Sequence, residues 1–307
     1  MNVDAPPGFV GVTLDRADHL RFDVEKIAAL AGADKARLMS LAGTDPLLGE
    51  DGRLAWRPVG GQPLTAADLI FLGLDGDRPL FAPIAPPADE STRPPVFILL
   101  GAMHPEDLGL WGMARSLIAW HARHRFCSNC GAATLPNRAG WARKCDACGA
   151  EHFPRVDPVV IMLAEYDGKV LVGRQSRFPP RSFSALAGYV EHGESIEEAV
   201  ARELKEEAGI TVSNVRYLVS QPWPLSGALM IACLADADSD AITVDPHELE
   251  TAMWVDRAGV LAALAGDPDA PFVPPPHYAI ANTLLRRWSA GAAVVEKAPE
   301  PELNPAS

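Results

Sequence analysis

The sequence contains no apolar run approaching the roughly 18 residues that cross a bilayer, so nothing in it reads as a membrane span. Its opening stretch, MNVDAPPGFV, lacks the basic and apolar regions of a secretory signal. Positive charge is in short supply: 27 Lys and Arg stand against 40 Asp and Glu, a net charge of −13. That balance disfavours broad nonspecific binding to nucleic acid. Cysteine is scarce too, five residues in all, four of them in two C-x-x-C pairs. Nothing suggests a secreted disulfide framework, and a reducing cytoplasm is the expected setting. No internal repeat is visible. What is present is an ordinary globular composition, 48% hydrophobic and 22% charged over 307 residues, enough for about two domains with ample core.

Along the chain, residues 1–120 form a first segment of mixed pattern without a visible catalytic constellation. Within it VFILLGAM reads as a buried strand, and EDLGLWGMARSLIAWHARH as an amphipathic helix ending near the first cysteine. A cysteine module occupies 121–155. VDPVVIMLAEYDGKVLVGRQ then reads as a hairpin turning at Asp167-Gly168. A capped helix, the strands VRYLVS and ALMIACLADA, and a final helix in PHYAIANTLLRRW complete a segment from 156 to 289. From 290 to 307 the Pro-, Ala- and Glu-rich GAAVVEKAPEPELNPAS has the composition of a disordered tail. The isolated Cys233 sits in an apolar strand and is expected in the core.

The stretch RELKEEAG, Arg202 to Gly209, holds three glutamates in five positions. Most such runs are solvated helix faces. Here the helix can be placed: Ser195 and Glu198 make an S-x-x-E capping box and Gly209 supplies the stop. At about 100° per residue, Ile196, Val200 and Leu204 share one side with Ala199 at its edge, and Glu197, Ala201 and Lys205 share the other. Glu203 follows Ile196 by seven residues and Glu207 follows Val200 by seven, so both point with the apolar side chains, and Glu206 lies one step round. Inward carboxylates without a partner are costly. Three together point to a multivalent, oxygen-loving cation such as Mg²⁺, which keeps room for substrate phosphates.

Cys127 and Cys130 are followed after fourteen residues by Cys145 and Cys148, each pair opening a knuckle, CSNCG and CDACG. Two matched pairs at this spacing indicate a four-thiolate zinc ribbon, where a redox pair would account for only one. Four thiolates close the coordination sphere, so this zinc is expected to be structural. From 121 to 155 six cations (Arg123, Arg125, Arg138, Arg143, Lys144 and Arg155) stand against Asp146 and Glu151. This basic patch either steers a polyanion or neutralises the thiolates, and the sequence leaves both open.

The stretch GYVEHGESIEEAVARELKEEAGI resembles the Nudix box. Gly188, Glu194, Arg202, Glu203, Leu204, Glu206, Glu207, Gly209 and Ile210 fill its fixed positions. The resemblance implies an α/β (α+β) fold class, an α/β/α sandwich with a mixed sheet, and hydrolysis of a nucleoside diphosphate joined to a further group. It implies that Glu203, Glu206 and Glu207 hold Mg²⁺ or Mn²⁺ and that Arg202 orients them.

Downstream, SQPWPLSGALM resembles the S-Q-P-W-P-F-P-x-S motif of the NADH pyrophosphatase branch of the Nudix enzymes, with Ser226 in place of the third proline and Ala228 in place of the serine. That branch has the same layout: an N-terminal α/β domain, a zinc ribbon, then the Nudix domain. By this resemblance Gln221, Pro222, Trp223 and Pro224 bind substrate, with Phe153, Ala187, Tyr189 and Ala281. Glu248 is implied as a further metal ligand outside the helix. Pro222 and Pro224 stiffen the backbone around Trp223, whose ring can stack on a nicotinamide. The expected activity is cleavage of NADH or NAD⁺ to nicotinamide mononucleotide and AMP, with removal of NAD caps from RNA as a related activity and a homodimer as the family's assembly. The alternatives are a Nudix hydrolase of another dinucleotide, such as ADP-ribose or a diadenosine polyphosphate, and a non-catalytic zinc-ribbon binding protein.

Overall fold

The computed structural model describes residues 5–60, 65–85 and 96–291. The chain divides into two compact units, one holding residues 8–157 with 222–228, the other residues 1–7, 158–221 and 229–307. The expected tail falls almost wholly on residues 292–307, outside the described residues.

In the first unit, helix α1 (Val24–Ala31) precedes strand β1 (Arg37–Met39), a short hairpin β2–β3 (Leu41–Ala42 and Asp45–Pro46), and strands β4 (Trp56–Pro58), β5 (Leu69–Asp75) and β6 (Arg78–Pro83). The sheet order is β4-β1-β6-β5, with β1 and β6 parallel and the other neighbours antiparallel. Ile27 and Ala31 of α1 pack on Leu38, Leu69, Phe71 and Phe81. The register slips at Gly73. There φ is +145°, and a Cβ would lie 2.3 Å from the Asp15 carbonyl oxygen, so the crossing of the two backbones requires glycine.

VFILLGAM is not a strand. Val96–Ala102 forms helix α2, with Leu100 buried and Phe97 and Ile98 exposed. A short apolar run does not distinguish strand from helix by period. Helix α3 (Pro105–Arg123) follows as expected, with Pro105 at its first turn and Trp111 fully buried.

The cysteine module folds as a three-stranded sheet, β7 (Thr134–Asn137), β8 (Ala142–Cys145) and β9 (Glu151–His152). It is tied to α3 by a buried polar network. His121 Nε2 donates to the Gly140 carbonyl at 2.8 Å and His121 Nδ1 accepts from Arg143 at 3.0 Å. Arg143 also donates to the Thr134 hydroxyl and carbonyl. Every polar atom of the imidazole is satisfied in its neutral form, which is why a histidine tolerates 2% exposure here. Ribbon and N-terminal segment, separate in the sequence pattern, therefore pack as one unit.

The second unit is built on a six-stranded sheet of β10 (Asp157–Tyr166), β11 (Lys169–Arg174), β12 (Leu186–Tyr189), β13 (Val212–Trp223), β14 (Ala228–Ala237) and β15 (Thr251–Asp256). The order is β13-β14-β10-β11-β15, with β12 also on β10. Asp167 and Gly168 both take left-handed φ, the geometry a two-residue hairpin turn demands. Period-2 alternation splits the strands between two cores. Ile161, Leu163, Val170, Val172, Ala232 and Leu234 face α5 (Arg257–Ala265) and α6 (Ile280–Ser289), while Val160, Met162, Leu171, Ile231 and Cys233 face α4 (Ile196–Ala208). The result is the expected α/β/α sandwich, with Cys233 fully buried in the α4-side core.

Candidate active site

Helix α4 carries the expected caps. The Ser195 hydroxyl accepts from the Glu198 N–H and Glu198 returns a bond to the Ser195 N–H. Gly209 takes φ 72° at the far end, where its N–H and that of Ile210 donate to the Lys205 and Leu204 carbonyls. With both ends fixed, the rotation of the helix is set by Ala199, Val200, Leu204 and Ala208, all fully buried. Glu207 turns inward with them, at 5% exposure. Glu203 is partly buried, and Glu206 lies on the rim with 58% of its side chain exposed.

One guanidinium organises the outer carboxylates. Arg202 reaches Glu194 through Nε at 2.5 Å and Nη2 at 2.9 Å, Glu203 at 2.8 Å and Glu206 at 2.9 Å, and donates to the Tyr189 carbonyl at 3.0 Å. The fork geometry of arginine makes this multiple grip available where lysine offers a point charge. Arg202 holds Glu194 down to about 2. Gly188 on β12 is the floor on which Glu203 rests: a Cβ there would lie 1.9 Å from the carboxylate carbon.

Among the described residues no cation pairs with Glu207 in this way. Burial, then the charges of Glu203, Glu248 and Glu206, push its pKa up to about 8. Burial likewise raises Glu203, against the pull of Arg202. Glu248 reaches this neighbourhood because its loop docks on the end of α4: the Asp245 N–H donates to the Glu207 carbonyl, and the Glu248 N–H to the Asp245 carbonyl. Glu203, Glu206 and Glu248 lie near enough to Glu207 to raise it electrostatically, and carboxylate oxygens are the donors that hard divalent cations take; among the described residues only the four cysteines bring their ligand atoms within 4.8 Å of one another. Beside Glu207 opens a cavity of about 180 Å³, lined by Ala187, Gln175, Arg177, Phe178 and Leu249 among others.

The four thiols gather as the spacing predicts. Cys127 and Cys148 sulfurs stand 3.7 Å apart, Cys130 and Cys145 sulfurs 3.5 Å, and all four lie within 4.8 Å of one another. A tetrahedron with Zn–S near 2.3 Å has sulfur–sulfur edges of about 3.8 Å, close to the separations of 3.7 and 3.5 Å, so the set suits zinc. Gly131 and Gly149, both at left-handed φ, close the two knuckles with matching bonds to the Cys127 and Cys145 carbonyls. His152 Nε2 lies 3.2 Å from the Cys127 sulfur.

The aromatic residues divide between the units. Tyr189 is exposed at the end of β12. In the first unit Phe153 is exposed, and Trp223 is half-buried at the end of β13 with its ring edge-on to Phe9 at 5.7 Å. Pro222 is exposed and Pro224 buried against Gly112. Gln221 and Ala281 stand behind the surface. Gln221 is fully buried, its carboxamide donating to the Tyr278 carbonyl and accepting from the Ile280 N–H, and Ala281 is 3% exposed in the core. Both hold α6 in place and neither presents a side chain to solvent.

Comparison with known proteins now bears on this arrangement. Residues 154–274 match the NUDIX domain, 122–153 the NADH pyrophosphatase zinc ribbon domain, and 35–120 the NADH pyrophosphatase-like rudimentary NUDIX domain. The protein named NAD-capped RNA hydrolase NudC of Mycobacterium bovis is 38% identical over 299 residues, covering 91% of this chain and 93% of its own.

The chain belongs to the NADH pyrophosphatase branch of the Nudix hydrolases.

Another relative, human NAD-capped RNA hydrolase NUDT12, is 40% identical over 271 residues, 83% of this chain. The present chain spans about half the length (54%) of the primate relatives it matches. Within this Nudix framework two features escaped the sequence reading. Glu194 was legible as a box position, yet its part as the principal counter-ion of Arg202 appears only in three dimensions. Gln175, Arg177 and Phe178, which line the cavity beside Glu207, lie in a loop without a motif. The only signal was a cation and an aromatic following a strand end, too common a pattern to single out.

Proposed function

We propose that this Nudix hydrolase cleaves the pyrophosphate of NADH or NAD⁺ to nicotinamide mononucleotide and AMP, and that it removes NAD caps from RNA. The observation that carries the proposal is the acidic cluster of Glu203, Glu206, Glu207 and Glu248, with Glu207 buried and unpaired. Glu203, Glu206, Glu207 and Glu248 would hold Mg²⁺ or Mn²⁺. When bound, such ions neutralise pyrophosphate oxygens and lower the pKa of a water. Arg202 keeps Glu203 and Glu206 in fixed orientation, and a carboxylate of the set accepts the proton of the attacking water. Substrate binding is assigned to Phe153, Ala187, Tyr189, Pro222, Trp223 and Pro224, with Gln221 and Ala281 supporting them from behind. The SQPWP motif favours a nicotinamide dinucleotide over ADP-ribose, and the names of the human and M. bovis relatives support capped RNA as a substrate.

Zinc at Cys127, Cys130, Cys145 and Cys148 is a structural ion in this proposal. The division into a domain at 1–120, a ribbon at 121–155 and a Nudix domain at 156–289, a homodimeric assembly and a cytoplasmic location belong to the same proposal. Among the described residues no helix is long and apolar enough to cross a membrane. The test is the purified protein with Mg²⁺ or Mn²⁺, assayed in parallel on NADH, NAD⁺, ADP-ribose and NAD-capped RNA. Release of nicotinamide mononucleotide from the nicotinamide substrates is expected. Activity confined to ADP-ribose would overturn the proposal.

A further inference from the structure

Phe153, one of the substrate-binding residues proposed above, does not stand alone. The guanidinium carbon of Arg138 lies 4.9 Å from the centre of its ring, and 5.0 Å from that of Phe22. Arg138 is held there from its edge by Glu151, through Nη2 at 2.8 Å and Nε at 3.3 Å. Asn137 adds a bond to the same carboxylate at 3.0 Å and accepts from the Arg138 N–H at 2.9 Å.

The backbone is committed to this placement. Arg138, Ala139 and Gly140 take φ of 50°, 50° and 86° in succession. Two consecutive non-glycine residues in the left-handed region persist only where their surroundings over-determine them. Here the surroundings are visible. Gly140 sits against the Ile70 backbone, where a Cβ would come within 2.9 Å, and its carbonyl takes the bond from His121. The strained turn delivers one cation to two rings, those of Phe22 and Phe153. Phe153 is nonetheless 52% exposed, so part of its ring surface stays open beside the cation.

A cation over an aromatic ring draws on the negative potential of the ring faces. The exposed part of Phe153 is therefore a poorer partner for a second cation than a bare phenyl ring, while remaining a good surface for a neutral ring. The two redox forms of a nicotinamide differ in this property: the oxidised ring is a pyridinium cation and the reduced ring is neutral. We propose that Arg138 is a specificity-determining residue, which through Phe153 biases binding toward the neutral, reduced nicotinamide and against the pyridinium. This inference rests on the assignment of Phe153 to the nicotinamide pocket.

The test uses the full-length, zinc-loaded protein and measures kcat/KM for NADH and NAD⁺ in the wild type, Phe153→Leu, Arg138→Lys, and the double variant Arg138→Gln with Glu151→Gln. The double variant removes the ion pair as a whole, so no unpaired carboxylate is left beside the ring. Its NAD⁺-to-NADH ratio of kcat/KM is expected to rise about 3- to 10-fold, the range a single cation–π contact supports. Arg138→Lys keeps the charge and should hold the ratio within about two-fold of wild type. A double variant that loses activity on both substrates in proportion, with zinc content intact, would show that Arg138 only supports the ribbon, and the inference would fall. An unchanged ratio would overturn it equally. If Phe153→Leu alters neither substrate, the pocket assignment itself fails. Impairment by Phe153→Leu with an unmoved ratio in the Arg138 variants overturns the role of Arg138 alone.

Discussion

At the residue scale the site turns on one carboxylate that is inside and unpaired. Glu206 is bonded to Arg202 at the rim, Glu203 is bonded to the same guanidinium, and Glu207 is buried with neighbouring like charges. Glu207→Gln keeps the shape and removes the charge. The proposed function predicts that kcat falls by about 10²-fold or more while the circular dichroism spectrum is unchanged; near wild-type turnover would remove Glu207 from the chemistry. Trp223 offers a second residue-level check. If its ring stacks on nicotinamide, Trp223→Ala loses roughly 1–3 kcal/mol, on the order of 10- to 100-fold in kcat/KM for NADH, with a much smaller loss on ADP-ribose. Because the ring also meets Phe9 edge-on, equal losses on both substrates would assign Trp223 to packing.

At the scale of elements, helix α4 was legible end to end from its caps, its apolar face and its stop, because a helix with strong local signals keeps its period whatever packs on it. Ser195→Ala should cost about 1 kcal/mol, read as a lower urea midpoint with kcat on NADH little changed; loss of activity without loss of stability would mean that the cap tunes the glutamates. The link between α3 and the ribbon carries a pH signature. Burial first, with the Arg143 charge in addition, lowers His121 from 6.5 to about 4. Its folded pKa lies below its unfolded value, so the unfolded chain takes up the proton more readily. The stability contributed by neutral His121 is complete above about pH 6.5 and is lost as pH falls toward 4. The difference corresponds to at most about 3 kcal/mol. Urea midpoints from pH 7 to 4.5 should fall more steeply for the wild type than for His121→Gln; parallel slopes would mean that this group does not govern the acid limb.

For the molecule as a whole, the proposed zinc site predicts that metal and fold are coupled. The four thiols already stand together, two pairs at 3.7 and 3.5 Å and all four within 4.8 Å, so one zinc per chain is the expected result of metal analysis. Cys145→Ser should destabilise the protein by several kcal/mol, on the order of 10 °C in Tm. Absence of zinc together with a disulfide among the four would refute the assignment. The ribbon and the N-terminal segment share a buried polar network. Losing the metal is therefore expected to loosen α3 as well, visible as faster hydrogen exchange at its C-terminal turns.

What the sequence determined by itself were the features governed by short-range physics: the caps and face of α4, the hairpin at Asp167-Gly168, the alternation of the sandwich strands and the C-x-x-C knuckles. Each depends on residues within about one helical turn or one strand pair, so the pattern carries the geometry. The tertiary structure decided the rest. It made VFILLGAM a helix because a short apolar run takes its form from what it packs against. It brought Glu194 to Arg202 and carried the loop of Glu248 to the end of α4. It buried Gln221 under α6 and set Arg138 on Phe153. These contacts join residues distant along the chain or turned by an unusual backbone conformation. No local periodicity encodes such meetings, and only the packing of whole elements brings them about.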